Sequence, residues 1–258
     1  MNEDDKIPFT SHLDELRRRL IIVFIAVAIG FAAAYGFKEF LFEILVRPLK
    51  LVMAEGDTLI FTNLPEAFFT YLKVAFLAGL GLASPVILYQ FWMFVAPGLY
   101  DKEKRLLLPI VFLSTFFFVG GALFGYFIVF PYGFEFFLGF ATETIRPMPS
   151  MKEYLSFAAK LLLAFGIVFE LPLVITFMAK LGLVTVPFLK RNRKYAILLF
   201  FAGSAMLTPP DVVTQVMMAF PLMLLYEISI LGARVFGRKP LDAVDEEASA
   251  TEDHPQPE

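Results

Sequence analysis

A few charged residues stand inside or beside long apolar runs of this 258-residue chain, and these are the groups that could do chemistry. Glu170 is the one charge at the centre of the apolar run around Leu161–Ala179. A charge in the middle of a membrane helix costs about 2.5–3.5 kcal/mol, so it normally faces a cavity or a partner. We interpret Glu170 as a polar point in a groove or a proton-accepting group. The alternative is a protonated carboxyl hydrogen-bonded to a neighbouring helix.

The second candidate is the segment Gln90–Arg105, Q-F-W-M-F-V-A-P-G-L-Y-D-K-E-K-R, which lies between two apolar runs. The carboxylate of Glu103 could pair with a guanidinium that stacks on Phe94, and Glu15 could supply a second carboxylate. The plainer interpretations are a helix-dipole carboxylate for Glu103 and, for Phe94, an interfacial aromatic belt that also includes Phe91, Trp92 and Tyr100.

Other polar residues have simpler explanations. Glu15 and Arg19 form an acid-first i,i+4 pair in a short amphipathic helix before the first apolar run. Asp211 follows two prolines and is placed to cap the last helix. Gln215, one turn later, is placed for an interhelical hydrogen bond.

Catalytic signatures are missing from the sequence. It contains no cysteine and two histidines, with no glycine-rich phosphate loop, nucleophile–base arrangement or metal-ligand spacing. We therefore expect neither enzymatic activity nor a cofactor or metal, and we expect no nucleic-acid partner.

Composition sets the class of the elements that must position these groups. The chain is 58% hydrophobic and 18% charged, with 32 phenylalanines, and several uncharged runs reach the roughly 20 residues that cross a bilayer core of about 30 Å. An all-α membrane protein is predicted. Six spans are expected, at Leu20–Phe37, Val74–Val95, Leu106–Phe130, Leu161–Ala179, Tyr195–Leu207 and Val212–Tyr226.

The fifth and sixth spans are predicted to be short. The fifth gives about 20 Å of helix, less than the hydrocarbon core, so the bilayer must thin there or other protein must shield the pair. The stretch from Lys38 to about Thr70 is apolar enough to form small helices on the membrane face.

Basic residues near the span ends predict the orientation. They cluster at 17–19, 102–105, 190–194 and 234–239, which places both termini in the cytoplasm. The expected organisation is a cytoplasmic segment with a short amphipathic helix (1–19), a six-helix transmembrane domain (20–236) and a disordered acidic cytoplasmic tail (237–258).

Several motifs carry a family resemblance over Phe9 to about Arg238. They are H-L-D-E-L-R-R-R-L at 12–20, R-P-L at 47–49, S-P-V-I-L-Y-Q-F-W-M-F-V-A-P-G-L-Y at 84–100, F-G-I-V-F-E-L-P at 165–172 and L-T-P-P-D-V-V-T-Q at 207–215. With them the chain resembles the TatC family, the multispanning subunit of the twin-arginine protein translocase.

The resemblance implies a concave, glove-like bundle of six helices in the bacterial cytoplasmic membrane. It implies a receptor and core subunit that binds twin-arginine signal peptides and exports folded proteins with the proton-motive force. The implied partners are TatA- and TatB-type single-span proteins and further copies of the chain itself.

The resemblance also implies roles for individual residues. Those matching the signal-recognition region are Glu15, Arg17, Phe94 and Glu103. The remaining matches are Glu170 in the intramembrane groove, Pro48 as a structural proline on the outer face, and Thr208 and Gln215 where partner helices dock.

Two rival functions stay open at this point. A proton-coupled small-solute transporter would use Glu170 as its coupling site, although a single mid-membrane charge and the lack of an internal repeat count against it. A structural membrane scaffold would tolerate Glu170→Gln and Glu103→Gln without loss of function.

Overall fold

The computed structural model describes residues 9–54, 57–95, 107–142, 147–207 and 212–237. Within these ranges the regular elements are helices, and Ile60 and Ser150 form an isolated parallel bridge. In chain order the helices are α1 (Phe9–Tyr35), α2 (Lys38–Lys50), α3 (Glu66–Val95), α4 (Leu107–Phe124), a π-helical turn (Gly125–Val129), α5 (Phe130–Leu138), α6 (Met151–Phe169), α7 (Leu171–Lys180), α8 (Val186–Arg191), α9 (Arg193–Leu207) and α10 (Val212–Phe236).

The predicted all-α membrane class is confirmed. In the described part of the chain, five helical stretches are long and apolar enough to span a bilayer, namely Leu13–Tyr35, Glu66–Val95, Leu108–Leu138, Met151–Lys180 and Val212–Phe236. The remaining predicted span is α9, whose 15 residues give about 22 Å of helix. The count of six spans stays a prediction, because α9 is shorter than the hydrocarbon core.

The chain divides into two compact units, Met1–Phe169 with Leu207–Thr214, and Glu170–Met206 with Gln215–Glu258. In the first unit α1 packs against α3 at a contact between two glycines. A Cβ on Gly30 would lie 2.5 Å from the Gly79 carbonyl oxygen, and a Cβ on Gly79 would lie 2.5 Å from the Phe31 nitrogen. Such close backbone contact matters because helix association in lipid depends on packing rather than on hydrophobic burial.

A proline inside α3 is compensated by its neighbour. Pro85 lacks the N–H that would bond the carbonyl of Gly81, four residues earlier. The hydroxyl of Ser84 donates to that carbonyl instead, at 2.7 Å. The helix therefore continues through the proline without leaving a carbonyl unsatisfied in the membrane.

The third span continues beyond its predicted end at Phe130. In the π-helical turn the Phe130 N–H donates to the Gly125 carbonyl five residues back, and Pro131 follows at once. The wider turn gives room to a proline ring that would conflict with a regular helix, so the helix runs on to Leu138.

The prediction of a short sixth helix is wrong. α10 has 25 residues and continues through Glu227, because a charge ends an apolar run without ending a helix. Glu227 accepts a hydrogen bond from Arg193, the first residue of α9, at 2.6 Å. The predicted short fifth helix is confirmed by the 15 residues of α9.

Candidate functional site

A carboxylate and two further polar side chains meet between α1 and α3. Arg19 donates from Nε to Oε1 of Glu15 at 3.0 Å, and its Nη2 contacts the same oxygen. Its Nη1 donates to Oε1 of Gln90 at 3.2 Å. The predicted Glu15–Arg19 pair is therefore confirmed, and it also joins α1 to α3.

The second carboxylate oxygen of Glu15 is the chemically informative part of this cluster. Both bonds from Arg19 go to Oε1, and Oε2 accepts no hydrogen bond from any residue that the structure describes. A carboxylate can accept two parallel N–H bonds from a guanidinium. Glu15 thus keeps acceptor capacity for a second cation while Arg19 fixes its position.

Phe94 stands one helical turn after Gln90 on α3, so both lie on one side of that helix. Phe94 is half-buried, and its neighbour Phe91 is 47% exposed.

The interfacial-belt interpretation does not suit Trp92, which is 3% exposed and donates from Nε1 to the Ser114 hydroxyl at 2.6 Å. Trp92 therefore fastens α3 to α4.

Arg17 and Glu103 are the other residues predicted to bind the signal peptide. Arg17 lies on α1 with an exposed side chain. Glu103 lies outside the described residues, as do Thr208 and Asp211, so their predicted roles are untested.

Glu170 lies at the interruption between α6 and α7. Its carbonyl accepts a hydrogen bond from the Val174 nitrogen at 2.9 Å, and Pro172 occupies the first turn of α7. The residue is 9% exposed. Burial agrees with the expectation that an intramembrane carboxylate avoids lipid, whereas its function is untested.

Pro48 lies inside α2, and two tyrosines of the first unit donate to helix carbonyls near it. The proline lacks the N–H that would bond the Ile44 carbonyl. The Tyr126 hydroxyl donates to that carbonyl at 2.5 Å, and the Tyr154 hydroxyl donates to the Leu45 carbonyl at 2.5 Å. These contacts hold α2 against the third and fourth spans, which gives the predicted structural proline a physical role.

Glu66, which sequence reasoning missed, links two segments of the same face of the first unit. Its carboxylate accepts hydrogen bonds from the Ser150 hydroxyl at 2.7 Å, the Thr62 nitrogen at 2.8 Å and the Lys152 nitrogen at 3.1 Å. It is 6% exposed. Beside it the Met151 nitrogen donates to the Ile60 carbonyl at 2.9 Å. In sequence Glu66 looks like an ordinary acid in the first turn of a helix.

In the second unit Gln215 makes the predicted interhelical bond. Its Nε2 donates to the Phe201 carbonyl of α9 at 2.9 Å. α9 leaves much of its apolar surface uncovered, with Leu198 68% and Leu199 69% exposed. A 15-residue helix with such a face offers a surface to another apolar helix.

No group of acidic, histidine or cysteine residues that could hold a metal ion occurs among the residues that the structure describes.

The chain is similar in sequence and in fold to known proteins. The profile of the family described as "Sec-independent protein translocase protein (TatC)" matches residues 11–221. The chain is 68% identical over 251 residues to the Sec-independent protein translocase protein TatC of Desulforapulum autotrophicum, covering 97% of this chain and 93% of the relative. It is 48% identical over 256 residues to that of Magnetococcus marinus, covering 98% and 94%. A solved structure described as a twin arginine translocase receptor, TatC, superimposes with a TM-score of 0.80 at 45% identity, covering 88% of this chain and all of that one.

Proposed function

Because the chain belongs to the TatC family of Sec-independent protein translocase proteins, we propose that it is the receptor subunit that binds twin-arginine signal peptides. With TatA- and TatB-type single-span partners and further copies of itself, it exports folded proteins using the proton-motive force. It does so in the bacterial cytoplasmic membrane, with both termini in the cytoplasm.

The geometry of Glu15 is the observation that best supports this function. Glu15 is held by Arg19 through one oxygen, and Gln90 fixes Arg19 from α3. A ligand arginine would use the second oxygen of Glu15, while Glu103 takes the other arginine of the pair. Phe94, one turn from Gln90, supplies an aromatic face for stacking against a guanidinium. Arg17 contacts the polypeptide around the arginine pair.

The apolar part of the signal peptide would lie along the membrane near Glu170. A buried carboxylate there can accept a hydrogen bond from a peptide backbone or side chain that enters the membrane. Single-span partners would dock at α9 and α10, where Leu198 and Leu199 are exposed and where Thr208 and Gln215 supply polar contacts.

The proposed organisation keeps three parts. Residues 1–19 form the cytoplasmic segment that presents Glu15 and Arg17, and residues 20–236 form the transmembrane domain. Residues 237–258 form an acidic cytoplasmic tail. In this proposal Asp211 would cap the start of α10.

Capture of a precursor tests the receptor role. The purified chain in detergent is mixed with a folded reporter that carries a twin-arginine signal peptide, and binding is measured by pull-down. Replacing one carboxylate of the site should weaken capture of the arginine pair by about ten-fold or more, since a charge-assisted hydrogen bond contributes about 1.5–3 kcal/mol.

The matched variants are Glu103→Ala and Glu15→Ala, and the control is Glu39→Ala, an exposed acid on α2. A reporter whose two arginines are replaced by lysines should lose binding to the wild type and be little affected by Glu103→Ala. If Glu103→Ala captures the precursor as well as Glu39→Ala does, the role assigned to Glu103 is wrong.

A further inference from the structure

The first unit contains an apolar groove that the signal-peptide site does not use. It has two lobes of about 340 Å³ and about 560 Å³. The lobes share six lining residues and so form one continuous space: Leu41, Ala78, Gly81, Phe118, Ala122 and Leu123. Volumes of this size are typical of sites that hold a small ligand.

The groove is open along its membrane side. Leu82 is 64% exposed and Leu123 is 49% exposed, while Phe37 and Phe40, near the start of α2, are 67% and 61% exposed. The backbone of Gly81 forms part of its floor, and a Cβ added there would meet no atom within 4 Å. α2 lines both lobes, since Leu41 belongs to each of them.

Apolar lining does not by itself select an occupant, because lipid tails are as apolar as the leucines that face them. Selection has to come from polar groups at the rim. Lys38 is a cation at this rim, because it lies on the same face of α2 as Leu41 and Leu45, three and seven residues later. Its ammonium stands 4.4 Å from the centroid of the Tyr35 ring.

The acids of α2 do not neutralise this cation. Glu39 and Glu43 lie on the side of α2 away from the lining residues Leu41 and Leu45, and both acids are exposed. Among the described residues, Lys38 makes no ion pair. A positive group above an apolar cleft complements a molecule with an anionic head and a hydrocarbon tail.

We propose that this groove is a binding site for an anionic phospholipid. One acyl chain lies over Gly81 between α3 and α4, and the phosphate contacts Lys38. The lipid comes from the leaflet next to α2, which is the outer leaflet in the orientation given above. The proposal rests on the membrane-spanning fold and not on the signal-peptide site.

Native mass spectrometry of the full chain tests the site. The protein is released from nanodiscs made of equal amounts of phosphatidylglycerol and phosphatidylcholine, and the retained lipids are counted. The wild type should keep one phosphatidylglycerol in preference to phosphatidylcholine. Lys38→Gln should lower that preference about five-fold, which equals about 1 kcal/mol, the effect of one cation near a lipid surface.

A pair of glycine variants separates the groove from the rest of the surface. Gly81→Leu fills the floor and should abolish retention of the lipid. Gly120→Leu is the control, since its Cβ also meets no atom within 4 Å and Gly120 does not line either lobe. The Lys38→Gln result remains decisive should Gly81→Leu not fold.

Three results would overturn the proposal. They are a wild type without preference for the anionic lipid, a Lys38→Gln variant whose preference is unchanged, and a Gly81→Leu variant that folds and retains the lipid as Gly120→Leu does. Displacement of the retained lipid by a twin-arginine signal peptide would identify the groove as a peptide site instead. Precursor capture is measured separately, so its failure leaves the lipid result interpretable.

Discussion

Replacing Gly79 by alanine should destabilise the first unit by separating α1 from α3. The added methyl group would stand 2.5 Å from the Phe31 nitrogen, 2.7 Å from the Phe31 Cα and 2.8 Å from the Gly30 carbonyl carbon. All three are backbone atoms, so rotation of a side chain cannot relieve the overlap. The helices must instead move apart by about 1 Å to reach ordinary van der Waals contact at roughly 3.5–4 Å.

The magnitude follows from two opposing terms. Overpacking of this kind costs about 1–3 kcal/mol, whereas alanine gains about 1 kcal/mol over glycine in a helix interior. Gly81→Ala, two residues later on the same helix, obtains the helix-propensity gain without the overlap, because its Cβ meets nothing within 4 Å. The two variants should therefore differ by about 1–3 kcal/mol in unfolding free energy, with Gly81→Ala the more stable.

Thermal unfolding of the detergent-solubilised protein, followed by circular dichroism, measures this difference. A gap of about 2–12 °C in Tm is expected for a chain of this size. Equal melting temperatures for Gly79→Ala and Gly81→Ala would refute the close backbone contact between α1 and α3. A rise in Tm for both variants would show that only helix propensity matters at these positions.

Three smaller predictions concern single side chains. Tyr154→Phe should lower the unfolding free energy by about 1 kcal/mol, because the Leu45 carbonyl loses a donor; chemical denaturation against an exposed control, Tyr132→Phe, measures it. Glu66→Gln removes the charge that draws two chain segments together, so limited proteolysis near residue 60 should be several-fold faster; equal cleavage rates in wild type and variant would contradict this. Arg193→Gln should change stability by less than about 1 kcal/mol, since this ion pair is exposed on both sides.

The sequence predicted the helices far better than the contacts between them. Apolar runs and their lengths depend on local composition, which is why the all-α class, the short α9 and a helix at α2 could be predicted. Two helix ends differ from the predicted positions. The third helix passes Pro131 through a π-helical turn, and α10 passes Glu227, so neither ends where its uncharged run ends.

The candidate site was only partly accessible to sequence reasoning. The Glu15–Arg19 pair follows from a spacing of four residues, whereas the bond from Arg19 to Gln90 joins positions 71 residues apart. Glu66 and Tyr126 were missed for the same reason, because their partners are distant in the chain. The sequence did contain an indication of the Tyr126 contact. Pro48 leaves one helical carbonyl without its usual N–H donor, so another group must supply a hydrogen bond.

The two tyrosine contacts to α2 also determine when this helix can pack during biosynthesis. The carbonyls of Ile44 and Leu45 receive their side-chain donors from residues that lie 82 and 109 positions later. At about 5–20 residues per second, the second donor is translated roughly 5–20 s after α2. Until the third and fourth spans have been inserted, α2 remains at the membrane surface, where water can hydrogen-bond to these two carbonyls. The packing of α2 against these spans is therefore a late step, which follows the insertion of the first unit.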